Sequence, residues 1–78
     1  MISVKILGTG CKKCHTLEAN VRALIEKHQI DAIVEKVTDI NQMVEYGIMM
    51  TPGLVVNEKV VSYGVIPKEA QLLNWLKG

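Results

Sequence analysis

The chain has 78 residues and a formal net charge of +1, with no Phe, one Trp and two Tyr. So short a chain holds one hydrophobic core, so a single domain over residues 1–78 is expected. Its Lys and Arg are scattered apart from Lys12-Lys13, which argues against nucleic-acid or membrane-surface binding.

The apolar residues are mostly Val, Ile and Leu, as suits a sheet covered by helices. Ile2-Ser3-Val4-Lys5-Ile6-Leu7 alternates apolar and polar and reads as a first strand. Gly8 and Gly10 end it, allowing either a positive φ or a close backbone approach. A helix is predicted from Lys12 to Lys27, with Cys14, Leu17, Val21, Leu24 and Ile25 on its inward face. Glu18, Arg22 and Glu26 follow at four-residue spacing and suit solvent. After Gln29-Ile30-Asp31, a second strand runs from Ala32 to Val37. Asp39, with Gln42 three residues on, has the spacing of a capping box and opens a short helix from Ile40 to Tyr46. Its expected buried face is Ile40, Met43 and Val44, and Gly47 stops it. Gly53 to Val56 and Lys59 to Tyr63 make an antiparallel hairpin across Asn57-Glu58. Pro67 suits the first position of a last helix, with Leu72, Leu73 and Leu76 inward and Trp75 at the flank. The order β-α-β-α-β-β-α predicts an α/β fold. It has a parallel βαβ unit within one four-stranded mixed sheet, with helices on both faces.

Both cysteines lie in Gly10-Cys11-Lys12-Lys13-Cys14, between the first strand and the first helix. Cys-x-x-Cys at that junction reads as a redox pair. Dithiol–disulfide exchange needs an accessible thiolate and a second thiol close enough to resolve the mixed disulfide. Cys11, at the helix N-terminus, is the candidate nucleophile, and inward Cys14 the resolving thiol. An unperturbed thiol is only about 3% ionised at neutral pH. Unpaired N–H groups at the helix start, together with Lys12 and Lys13, favour the anion and predict a lowered pKa for Cys11. A purely structural staple closing so small a loop contributes only about 2 kcal/mol, and secreted staple frameworks use more cysteines.

Two other chemistries use the same thiols. One is a metal or metalloid binding module, although two cysteines alone do not fill a tetrahedral site. The other is haem, because Cys11-Lys12-Lys13-Cys14-His15 matches the C-x-x-C-H attachment pattern, with Met43, Met49 or Met50 as a second axial ligand. The strand before the motif argues against haem. The plain reading of His15 is an exposed helix residue, and His28 suits a helix C-terminus. For Thr51-Pro52 the residues alone favour a trans bond.

Several blocks together resemble the small thioredoxin-like proteins called the redox-active disulfide protein 2 family. They are Gly10-Cys11-Lys12-Lys13-Cys14, Leu17-Glu18-Ala19-Asn20-Val21, Glu35 to Ile40, and Tyr46 to Asn57. They occur in the right order and span nearly the whole chain. The resemblance implies a thioredoxin-like fold lacking the extra N-terminal strand and helix of full thioredoxins. It implies a cis Thr51-Pro52 bond facing Cys11 and Cys14, with Thr51 and Pro52 on the substrate side and Gly10, Lys12 and Lys13 beside them. It further implies protein disulfide substrates, a thioredoxin-reductase-like electron donor, a monomer, and no cofactor or metal beyond the Cys11–Cys14 pair. No apolar run reaches a membrane span and no basic leader is visible, so a soluble cytoplasmic protein is expected.

This sequence departs from the family in several places. Lys12 stands where Pro often follows the first cysteine. Gly53 stands where Ala is common, which predicts a wider groove. No Trp precedes the pair, and the first strand offers no buried carboxylate. Ser62-Tyr63-Gly64 replaces the Gly-Gly-Asp-like turn that glutaredoxins use for glutathione, arguing against glutathione use.

Overall fold

The computed structural model describes residues 1–77. Strand β1 (Ile2–Leu7) is central, because its alternation gives both faces something to bury. Val4 and Ile6 point to one face, and Leu7 to the other. Helix α1 (Lys12–Lys27) buries Cys14, Leu17, Val21 and Leu24, the stripe expected from their spacing. It closes without glycine. Gln29 takes φ +50°, its N–H bonds Glu26 O, and the Ile30 N–H bonds Ile25 O. That is the paired closure usually made around a left-handed glycine.

Strand β2 (Ala32–Val37) runs parallel to β1, from Ile2 against Ala32 to Leu7 against Val37. Helix α2 (Ile40–Glu45) follows, then β3 (Gly53–Val56) and β4 (Lys59–Tyr63), and α3 (Glu69–Lys77) comes last. The sheet order is β2-β1-β3-β4, with β3 antiparallel to both neighbours. The mixed sheet and the element order are those anticipated. Asn57 and Glu58 both have positive φ, so the hairpin turns as a left-handed pair although neither is glycine. The Asn57 side chain accepts from Ser3 N–H at 3.0 Å, and Glu58 accepts from Lys5 Nζ at 2.8 Å. Both contacts offset the cost of the turn.

The two faces are covered unequally. On one, α1 and α3 pack on Val4, Ile6, Leu54 and Val56 in the larger cluster. On the other, Leu7, Val37 and Val55 cluster with Met43 and Ile48, with Tyr46 and Val60 packed at the edge.

Four local expectations are corrected. Helix α2 buries Met43 alone, and Ile40 and Val44 are 65% and 67% exposed. At about 100° per residue, Ile40 and Val44 lie about 60° and 100° from Met43 on the same side, so a helix of under two turns that aims Met43 squarely at the sheet turns both toward solvent. The capping box does not close, because Asp39 Oδ1 accepts from Asn41 N–H at 2.8 Å rather than from Gln42. Pro67 lies before the last helix and not in it. The Leu72 N–H bonds Lys68 O, and Gln71 Oε1 accepts from Lys68 N–H, so Lys68 caps the helix. Leu72 and Leu76 are buried as expected, whereas Leu73 is half-buried.

Candidate active site

The site grows from the end of β1. The Gly8 N–H donates to Val37 O at 2.9 Å, carrying the pairing with β2 one residue past the strand. Gly10 then takes φ +92°, a conformation that side-chain-bearing residues rarely adopt. The turn places Cys11 at the N-cap of α1, with extended backbone angles. Oxygen-bearing residues normally hold that position. Here the Cys11 sulfur accepts from the Cys14 N–H at 3.2 Å.

Cys11 and Cys14 form a disulfide with their Cα atoms 5.0 Å apart. The two sulfurs differ in setting. Cys14 is 5% exposed, on the inward stripe above Leu17, whereas Cys11 is half-buried at the surface. Lys12, Lys13 and His15 are all exposed, and α1 has no acidic residue in its first turn. Among the described residues neither lysine makes an ion pair, so their charge beside Cys11 is uncancelled.

The facing wall comes from β3. Leu7 pairs with Gly53, so the residues just beyond, Gly8 and Pro52, are neighbours at the same end of the sheet. The Thr51-Pro52 bond is cis, against the expectation from residues alone and with the one from resemblance. Pro52 is buried and its carbonyl accepts from Gly64 N–H at 2.8 Å, whereas Thr51 is half-buried. Gly53 does not open a groove. A Cβ there would come 2.7 Å from Ile48 Cδ1, so the space left by the missing side chain is filled by Ile48.

Residue-level reading missed an apolar groove that reaches the cis-proline end of the sheet. Ile40, Val44, Met49 and Met50 are exposed around a groove of about 320 Å³ that ends at Thr51. The apolar run Ile48-Met49-Met50 before Thr51-Pro52 was the available signal. Among the described residues, no three His, Cys, Asp or Glu side chains gather as a metal site. His15 lies beside Gly10 and does not complete one.

Ionic contacts elsewhere are ties between elements. Arg22 donates to Glu18 at 2.9 Å, and Lys36 of β2 sits 3.5 Å from the same carboxylate, holding it below the usual carboxylate range. Lys5 Nζ bonds Glu58 at 2.8 Å and Tyr46 OH at 3.0 Å, and Tyr46 OH bonds Glu58 at 3.1 Å. The bond to Glu58, then that to Tyr46, raise the Lys5 pKa, and the bond from Lys5 lowers that of Glu58.

Two sulfurs joined at a helix start, one sheltered and one reachable, with a cis-proline strand end alongside, define a dithiol–disulfide exchange protein. A thioredoxin-domain family model matches residues 2–77. A thioredoxin of Methanocaldococcus jannaschii is 38% identical over 77 residues, covering 99% of this chain and 88% of that one. One from Methanothermobacter thermautotrophicus is 33% identical over 72 residues, covering 92% and 94%. The chain belongs to the thioredoxin family and is a thiol–disulfide oxidoreductase. The crystal structure of the germline-specific thioredoxin Deadhead from Drosophila melanogaster shares the fold. Its TM-score is 0.68 at 20% identity, covering 97% of this chain and 78% of that one.

Proposed function

We propose that the chain reduces disulfides in protein substrates, with Cys11 as the attacking thiolate and Cys14 as the resolving thiol. The unequal setting of the sulfurs carries this reading: Cys14 is 5% exposed, whereas Cys11 is half-buried at a helix N-terminus. The Cys11 thiolate attacks one substrate sulfur, forming Cys11–S–S–R and releasing the other as thiolate. Cys14, losing its proton, then attacks the Cys11 sulfur, closing the Cys11–Cys14 disulfide and releasing R–S⁻. Two electrons and two protons from a thioredoxin-reductase-like donor restore the dithiol.

The same features lower the Cys11 pKa: the Cys14 N–H aimed at its sulfur, the helix start, and the charges of Lys12 and Lys13. Thr51 and Pro52 border an extended substrate segment, and Gly10, Lys12 and Lys13 flank it. The cycle runs on the two sulfurs, without a bound organic cofactor or metal. A single domain acting as a monomer in the cytoplasm suffices, and among the described residues no helix is long and apolar enough to cross a membrane.

The test is a Cys14→Ser variant incubated with a protein disulfide. A stable mixed disulfide through Cys11 is expected. Trapping that occurs only through Cys14, in a Cys11→Ser variant, reverses the roles.

A further inference from the structure

Gly8 is glycine for a reason its backbone does not supply. Its φ lies outside the left-handed region, where Gly10, Gly47 and Gly64 are found among the described glycines. An alanine could adopt that backbone. What stands against a side chain is the Cys14 sulfur: a Cβ on Gly8 would overlap Cys14 Sγ and come 3.1 Å from Cys14 Cβ. Neither partner is free to retreat. The Gly8 N–H is held by Val37 O at 2.9 Å, and Cys14 sits one turn before fully buried Leu17 on α1. The sulfur thus occupies the place where the side chain of residue 8 would be.

The two redox states feel this contact differently. In the disulfide, Cys14 Sγ is bonded to Cys11 and its χ1 is tied to one orientation. In the dithiol that tie is absent, and the thiol can turn to the other staggered well open to a helical side chain. Any side chain at position 8 therefore destabilises the disulfide more than the dithiol. We propose that Gly8 is a positioning residue that sets the reduction potential of the pair, by leaving bare backbone where the resolving sulfur rests when oxidised. This rests on the dithiol–disulfide reading of the site. The equilibrium it controls is protein disulfide plus two glutathione thiols giving protein dithiol plus one glutathione disulfide, so electrons and protons balance.

The test equilibrates wild type and Gly8→Ala over a series of glutathione thiol-to-disulfide ratios, and reads the oxidised fraction by mass after alkylation. Gly8→Ala is expected to lower the equilibrium constant for oxidation about tenfold, a potential about 30 mV more oxidising for this two-electron couple. A second measurement separates positioning from mere packing. Gly8→Ala should cost stability when Cys14 carries its sulfur and lose most of that cost in a Cys14→Ala background, where the overlapping atom is gone. An unchanged potential beside a normally titrating wild type overturns the role of Gly8 alone. Equal costs in both backgrounds, or a double variant that does not fold, overturn it as well, because the sulfur would then not be the cause. A wild type that forms no Cys11–Cys14 disulfide at any ratio overturns the exchange reading, and this inference with it.

Discussion

Replacing Gly53 with Ala tests how the wall of the site is held. The added Cβ would lie 2.7 Å from Ile48 Cδ1 and 3.3 Å from both Leu7 Cβ and Leu7 Cδ1. Carbon atoms rest about 3.5–4.0 Å apart, so Ile48 would have to move by roughly 1 Å, whereas Leu7 need give only a few tenths. Ile48 is 6% exposed, in the smaller cluster with Met43 and Val55, and has little room to yield. Overpacking of this kind costs about 1–3 kcal/mol. Removing the offending atom by Ile48→Val costs about 0.5–1.5 kcal/mol alone, because it leaves a small void. The alanine methyl would occupy that void, so the pair should be less damaging than the sum of the single changes, by about 1 kcal/mol or more. Urea denaturation of the four proteins under oxidising conditions measures the coupling. Additivity within about 0.3–0.5 kcal/mol would refute the idea that Ile48 fills the space Gly53 leaves. The shift, if seen, falls on the chain that runs from Ile48 to Pro52.

Other consequences are simpler to check. The Ser62 hydroxyl is buried without a hydrogen-bond partner among the described residues, so Ser62→Ala should be neutral or stabilising by up to about 1 kcal/mol in the same denaturation assay. A clear loss would mean that the hydroxyl is satisfied in solution. The Glu58 carboxyl is held below its ordinary value of 4.5, first by the bond from Lys5 and next by that from Tyr46. A depressed carboxyl binds fewer protons folded than unfolded, so its contribution is complete above that ordinary value and is lost as pH falls through the folded one. The stability gap between wild type and Glu58→Gln should therefore be largest near neutral pH and close on acidification. A gap that widens in acid would contradict the pairing. At the other end, the Lys5 pKa is raised, so its contribution is complete below its ordinary value of 10.5 and is lost only at strongly alkaline pH.

Much of this could be read from residues, for physical reasons that differ by element. The four strands and α1 fell where alternation, helical spacing and glycines put them, because each signal extended over most of its element. The phase of Cys14 with Leu17 and Val21 predicts an inward sulfur, and Cys14 is buried. Helix α2 misled because six residues cannot distinguish a stripe through Met43 from one that also takes in Ile40 and Val44. Pro67 misled because a proline suits the residue before a cap as readily as the first turn, and Lys68 with Gln71 supplied the cap. The cis state of Thr51-Pro52 has no local cause in the two residues and was reached only by resemblance. The fit of Gly8 to the Cys14 sulfur is a contact between residues six apart on different elements, and periodicity does not see it.

The unequal covering of the sheet has a mechanical consequence. The sulfurs ride on α1, seated on the broad cluster it shares with α3. The cis-proline side of the site is approached by α2 and the chain after it, seated on a patch anchored by Met43 and Ile48. Amide protection follows buried contact. Exchange should therefore be slow along α1 and faster from Ile40 to Met50, with opening there costing less than global unfolding. The expected contrast is between a firmly seated support that holds the two sulfurs and a more yielding segment on the cis-proline side of the site.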